Sequence, residues 1–155
     1  MSNSLLSELA AQLNGEWLID ESVSKNTGDL LKYFGMPWVV AQAVLLSPTP
    51  PLIFHLNIDS TLSVTYPGLF PLKNEYILGK AGKHKSIWSA QDCECHLGKD
   101  EEGSDAVVIS VPQDPKLGVM TMTHSVRSGR HCVLITVVLD GKEMVRIPRV
   151  YDRKK

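Results

Sequence analysis

Cysteine is scarce, neither sign of charge dominates, and no apolar run is long. Each lack excludes something. Only Cys93, Cys95 and Cys132 occur, too few and odd in number for the disulfide framework of a small secreted domain. On a strand, Cys93 and Cys95 would point to one face, where two reduced thiols are expected rather than a bond. Sixteen Lys and Arg stand against 17 Asp and Glu, a net charge of −1. That balance gives no electrostatic footprint for nucleic acid. No stretch has the length needed to span a bilayer as a helix. The opening MSNSLLSELAAQLNG has neither a basic first segment nor a long apolar one, so it does not read as a secretory signal. A cytoplasmic, soluble protein is expected. Catalytic signatures are lacking too: there is no G-x-S-x-G, no H-E-x-x-H and no Gly-rich phosphate loop.

What the chain does contain is strand pattern. At 155 residues it reads as one domain, residues 1–155, large enough to build a core without staples. Leu5, Leu6, Leu9 and Leu13 recur at helical spacing and predict a short N-terminal helix over residues 1–14, with Ser4 as its cap and Gly15 as its stop. A strand, GEWLIDESV, follows. Residues 26–46 then predict two short helices. The first carries Leu30, Leu31 and Phe34 and ends at Gly35; the second opens on Pro37.

From Pro51 onward the chain reads as strands only. Ile53–Leu56 and Leu62–Tyr66 flank an Asn-Ile-Asp-Ser turn, and Gly79 breaks the next strand. KSIWSAQDCECHLGKDEEGS reads as one strand or two, and DAVVISV as one. Turns are expected at Ser128-Gly129 and Asp140-Gly141. Strands every 8–14 residues, as counted along the chain, predict an antiparallel meander closing as a barrel or sandwich. Two helices between the first strand and the rest suit a barrel whose mouth carries a lid. Such a barrel can enclose one small ligand in a mostly apolar pocket.

The ordered set of motifs resembles the intracellular lipid-binding proteins of the calycin superfamily, that is, the fatty-acid-binding and cellular retinoid-binding proteins. LNGEW is similar to their opening F-x-G-x-W, and LLKYFGMPWVVAQAV to their helical lid. PPLIFHLNIDSTLSVTY resembles their second and third strands, EYILGK their F-x-L-G-x segment, and PRVYDR their terminal T-R-x-Y-x-R. The likeness runs from about Gly15 to Arg153. It implies an up-and-down antiparallel barrel of about ten strands capped by two short helices, lipocalin-like, here with an extra N-terminal helix.

The resemblance also implies a function: binding and transport of a hydrophobic ligand, a long-chain fatty acid or similar lipid, without enzymatic activity. No cofactor or metal is expected beyond that lipid. Arg149 and Tyr151 stand on the positions of the family's inward Arg-x-Tyr, which holds a ligand carboxylate together with a second arginine one hairpin earlier. A buried guanidinium needs an anionic or strongly polar partner, and a neighbouring phenol adds a neutral donor. The second arginine is missing. His124 falls near its position, with Thr123 or Arg127 there if the register differs. An Arg with a His holds a carboxylate more weakly and with pH dependence, and also suits an alcohol, aldehyde or amide. Met122 is expected on the same inward face, and Leu31, Phe34, Met36 and Val40 line the portal and cavity. The family's lid arginine corresponds to Ala41.

Other readings of the same residues stand beside this one. Arg149 and Tyr151 could sit on an exposed edge, and His124 could be a hydrogen-bonded interior residue. His124 or His55 could hold a haem or another tetrapyrrole, with redox or isomerase activity. The barrel could be filled with side chains and serve as an interaction module. Cys93, Cys95 and His96 lack the second ligand pair a zinc site needs. The expected partners are a small hydrophobic ligand and, transiently, a membrane touched by the helical lid; the protein is expected to be a monomer without nucleic acid.

Overall fold

Gly15 marks where the first helix hands over to the first strand, and its backbone shows why. Its φ is +137°, and a Cβ there would meet the Arg153 guanidinium at 2.6 Å. Only glycine suits such a position. In the computed structural model, which describes residues 3–68, 71–86 and 89–155, helix α1 spans Asn3–Leu13 and strand β1 spans Gly15–Ile19. Ser4 therefore lies inside the helix rather than capping it. The expected first strand is also cut short, because Glu21–Val23 forms a single 3-10 turn capped by the Asp20 side chain.

Two helices follow, α2 at Gly28–Tyr33 and α3 at Trp38–Leu46, separated by Gly35 in the left-handed region (φ +72°) and by Pro37 at the N-cap of α3. The remaining nine strands are β2 Leu52–Leu56, β3 Thr61–Tyr66, β4 Leu72–Ile77, β5 Lys80–Lys85, β6 Ala90–Lys99, β7 Asp105–Pro112, β8 Val119–Arg127, β9 Arg130–Leu139 and β10 Lys142–Arg153. The segment from Lys85, expected as one strand or two, holds the last residue of β5 and then β6; Ile87 and Trp88 lie outside the described residues. The turns at Ser128-Gly129 and Asp140-Gly141 have positive φ at both residues. That is the geometry of a two-residue hairpin whose twist matches its strands.

The strands form one antiparallel sheet in the order β4-β3-β2-β1-β10-β9-β8-β7-β6-β5. The sheet curls into a barrel that is nearly closed. Its two ends are consecutive strands that do not pair, and the connecting turn shows the cause. Leu78 N–H bonds the Ser60 carbonyl at 2.9 Å while Gly79 N–H bonds the Cys95 carbonyl at 2.7 Å. The backbone thus divides its hydrogen bonds between the two flanks, and β4 and β5 splay apart. Side chains clasp the gap instead. Asn74 donates to the Lys85 carbonyl at 2.9 Å and accepts from the Lys85 N–H at 2.7 Å. Tyr76 and His84 meet through the phenol oxygen and Nδ1, 2.7 Å apart.

One end of the barrel is packed solid. Leu6, Leu9 and Leu13 of α1 are buried there with Trp17, Leu52, Phe54, Leu56, Leu62 and Ile147. The end of α1 is tied down by side chains. Asn14 pairs with both backbone groups of Leu56, at 2.6 and 2.9 Å. Arg153 donates to the carbonyls of Asn14 and Gln12 and lies 4.3 Å over the Trp17 ring. Burying three leucines is worth about 1.5–3 kcal/mol each, so α1 is a structural plug of this end. No helix among the described residues is long and apolar enough to cross a membrane.

Candidate functional site

Alternation on β10 buries Val145, Ile147, Arg149 and Tyr151 and exposes Arg146, Pro148 and Asp152. Arg149 and Tyr151 therefore share one face, as their spacing requires, and its burial puts that face in the barrel interior. Arg149 is only 8% exposed. Its Nε donates to the Tyr151 hydroxyl at 3.2 Å and its Nη1 to the Lys25 carbonyl at 3.0 Å. That carbonyl is in place because residues 20–25 run along β10 past the end of β1. Asp20 N–H bonds Val150 O, Lys25 N–H bonds Pro148 O, and Ser24 Oγ both accepts from Val150 N–H and donates to Val150 O. No carboxylate pairs with Arg149 among the described residues.

The guanidinium borders a cavity of about 250 Å³ between the lid and the packed end. Leu30 and Leu31 of α2, Val44 and Leu45 of α3, and Met120, Met122, Val133 and Ile135 of the sheet supply its apolar walls. On the sheet its polar groups fall on two sides, Arg149 and Tyr151 on β10 and Asn74 and His84 on the unpaired edges of β4 and β5. Asn26, Thr27, Ser47 and Thr49 add polar lining near the helices. Tyr66, at the end of β3, also lines the cavity. Burial pushes its phenol well above the usual range, the neighbouring Tyr151 adds to this, and Arg149 opposes it. Tyr66 therefore stays protonated and is a hydrogen-bond donor toward the same space. Burial also raises Tyr76 and lowers His84 to about 4, so the clasped pair is neutral at pH 7.

The expected site residues separate into groups. Arg149, Tyr151, Met122 and Leu31 line one cavity. Phe34 and Met36 are half-buried outside its lining, with Phe34 edge-on to Tyr33. Val40 is 40% exposed; the wall it was expected to supply comes from Val44 and Leu45, one turn further along α3. His124 does face inward, and the register excludes Thr123 and Arg127 from that face: Met122 pairs with Ile135, and His124 with Val133. Yet it sits in the packed end, against Phe54 and hydrogen-bonded through Nδ1 to His131 Nε2 at 2.9 Å. It is 1% exposed and takes no part in the cavity lining. His55, the other tetrapyrrole candidate, is exposed. His96 is exposed while Cys93 and Cys95 are buried, so the three do not converge. Among the described residues, no group of three His, Cys, Asp or Glu side chains could hold a metal ion.

Sequence reasoning missed Tyr66, Asn74 and His84. The strands KNEYI and KAGKHK are too polar to show an inward face by alternation, and Tyr66 sits where β3 ends.

No protein-family model and no curated protein matches this chain by sequence. Solved structures match it in fold. The REP1-NXSQ fatty acid transporter superposes with a TM-score of 0.72 at 18% identity, covering 94% of this chain and 98% of its own. The chain has the fatty-acid-binding-protein fold. A fatty-acid-binding protein of Schistosoma mansoni, solved with arachidonic acid, is similar at a TM-score of 0.71 and 19% identity, over 95% of this chain and 99% of that one. The fluorescent protein UnaG is similar at 0.73 and 20% identity, over 94% and 99%.

Proposed function

We propose that this protein binds a hydrophobic acid, a fatty acid or similar lipid, inside the barrel and carries it without chemical change. One observation supports the reading above the others: a guanidinium, Arg149, is buried at an apolar cavity without a carboxylate partner among the described residues. An unpaired buried charge is costly, and a ligand carboxylate would satisfy it. Tyr151 and Tyr66 would add neutral donors to the same head group. The chain supplies the rest of the affinity, at about 0.8 kcal/mol per buried methylene. The cavity of about 250 Å³ lies just below the ~300 Å³ at the small end of ligand pockets. A compact or curled chain fits it closed, and a longer one needs the lid to move about Gly35.

The lid suits contact with a membrane. Helix α3, WVVAQAVLL, carries no charged residue and buries none of its side chains; Trp38, Val39 and Leu46 are more than 70% exposed. An apolar surface of this kind is expected to dip into a lipid interface, where cargo could enter or leave beside α2.

The test is binding of oleic acid and of methyl oleate to delipidated protein, before and after Arg149→Gln. A charge-assisted hydrogen bond is worth about 1.5–3 kcal/mol, so the acid should bind roughly 10–100-fold more weakly to the variant while the ester changes little. Equal binding of the acid to both proteins would sink the carboxylate assignment.

A further inference from the structure

His84 lies at the edge of β5 beside the gap in the barrel, and its imidazole lines the cavity. Its Nδ1 is engaged by the Tyr76 hydroxyl at 2.7 Å. Tyr76 is held protonated by burial among Cys93, Tyr66 and Cys95, so the phenol donates and Nδ1 accepts. A neutral imidazole that accepts at Nδ1 carries its proton on Nε2. Among the described residues, no group accepts a hydrogen bond from that Nε2–H. Asn74 fixes the strand that carries it, by pairing with both backbone groups of the next residue, Lys85. His84 is thus a donor of fixed tautomer, 8% exposed, on a clamped strand edge.

We propose that the His84 Nε2–H reads a second oxygen on the ligand, a hydroxyl or carbonyl on the chain remote from the carboxylate, so that the preferred cargo is an oxygenated fatty acid rather than a plain one. The inference rests on the head-group reading for Arg149. The two polar sides of the cavity divide the work: Arg149 and Tyr151 orient the acid, and His84 selects among chains. A saturated chain would bury the imidazole donor without an acceptor. A chain oxygen at the right depth would satisfy it. Tyr76 is a positioning residue, since it sets which nitrogen of His84 carries the proton.

Isothermal titration of delipidated full-length protein with lauric acid and with laurates hydroxylated near the carboxylate, at mid-chain and at the ω carbon tests this. At least one hydroxylaurate remote from the carboxylate should bind about fivefold tighter than laurate, the fold-change a neutral hydrogen bond gives. In His84→Phe that preference should vanish. Tyr76→Phe keeps the imidazole but frees its tautomer, and should lower the preference without abolishing it, which carries the test even if His84→Phe fails to fold. If laurate binding depends on Arg149 but no hydroxylaurate surpasses it, or if the preference survives in His84→Phe, the proposal is overturned and the head-group reading stands. If laurate binds Arg149→Gln as tightly as the unaltered protein, the head-group reading fails and takes this proposal with it.

Discussion

The imidazoles of His124 and His131 meet nitrogen to nitrogen, 2.9 Å apart, in the packed end of the barrel. Phe54 lies about 5 Å from both rings, and Trp17 stands edge-on to His131 at 5.1 Å. Burial lowers His124 to about 3 and His131 well below its ordinary value, and for His131 the neighbouring His124 and Arg153 add to the effect. Both rings therefore bind a proton less readily folded than unfolded. Their contribution to stability is complete above about pH 6.5 and is lost as pH falls through the window from there toward 3. Each buried imidazole steepens that decline by up to about 1.4 kcal/mol per pH unit, and His84 acts in the same direction between about pH 6.5 and 4. Urea unfolding at pH 7.5, 6, 5 and 4 should show this slope. Replacing both rings, His124→Leu with His131→Met, should flatten it; an unchanged slope would mean that the pair does not stay neutral in the folded state.

Arg149 sets function against stability. Its guanidinium is buried with a phenol and one carbonyl as partners and no acid among the described residues. Apolar replacement of a buried charge is often neutral or stabilising. Arg149→Met is expected to leave the delipidated protein as stable as before or more so, by about 1 kcal/mol, while losing at least tenfold in fatty-acid affinity. Paired denaturation and binding measurements check it. A large loss of stability would indicate that the bond to Lys25 O holds the segment 20–25 in place and that the residue is structural.

Much of this architecture was legible in the residues, because period-two alternation reports the face on which a side chain stands. It put Met122 and His124 on one face and Arg149 and Tyr151 on one face, and for the arginine and tyrosine the family resemblance, not alternation, pointed that face inward. Alternation does not report height along the barrel. Arg149 and His124 even share a row, each paired with Val133, yet one borders the cavity and the other is sealed beneath Phe54. His124 takes Phe54 and His131 as its neighbours, and nothing local in β8 records those partners. For α3 the missing information is rotation. A helix apolar all round has no stripe to orient it, so its sequence does not distinguish Val40 from Val44 and Leu45, which line the wall. The gap between β4 and β5 was invisible too, since a hairpin is the default for consecutive strands.

Asn74 replaces backbone pairing across that gap. It is 6% exposed, and both of its amide groups are used on Lys85. Leucine at this position has similar volume but would leave the N–H and C=O of Lys85, part-buried in these bonds, without their partner. Asn74→Leu should cost about 1–3 kcal/mol, and the Lys85 amide should lose hydrogen-exchange protection out of proportion to the amides of β8 and β9. Uniform loss across the sheet would show that the clasp is an ordinary core contact rather than a local seam.

The α1 plug should behave as part of the core. Leu9 is 2% exposed, between Leu6 and Leu13 on the buried face of the helix. Leu9→Ala removes that packing and is expected to cost about 2–4 kcal/mol, while ligand affinity changes little because the cavity lies beyond the packed end. Arg153→Ala should have a smaller effect in the same direction, since its bonds to Asn14 and Gln12 are exposed. If Leu9→Ala instead enlarges the range of chain lengths bound, the plug also limits cargo size.

Trp38 offers a direct reading of the lid. It is 74% exposed at the start of α3, whereas Trp17 is fully buried. If α3 enters a lipid interface, adding phosphatidylcholine vesicles should shift Trp38 emission to the blue, and Trp38→Ser with Leu46→Ser should remove the shift. The same pair should slow transfer of a fluorescent fatty acid to vesicles by several-fold and leave equilibrium affinity in solution nearly unchanged, because neither residue lines the cavity. The separation of rate from affinity is the informative part. A variant that loses affinity but transfers at the original rate would place these side chains in the ligand's path rather than on the membrane's.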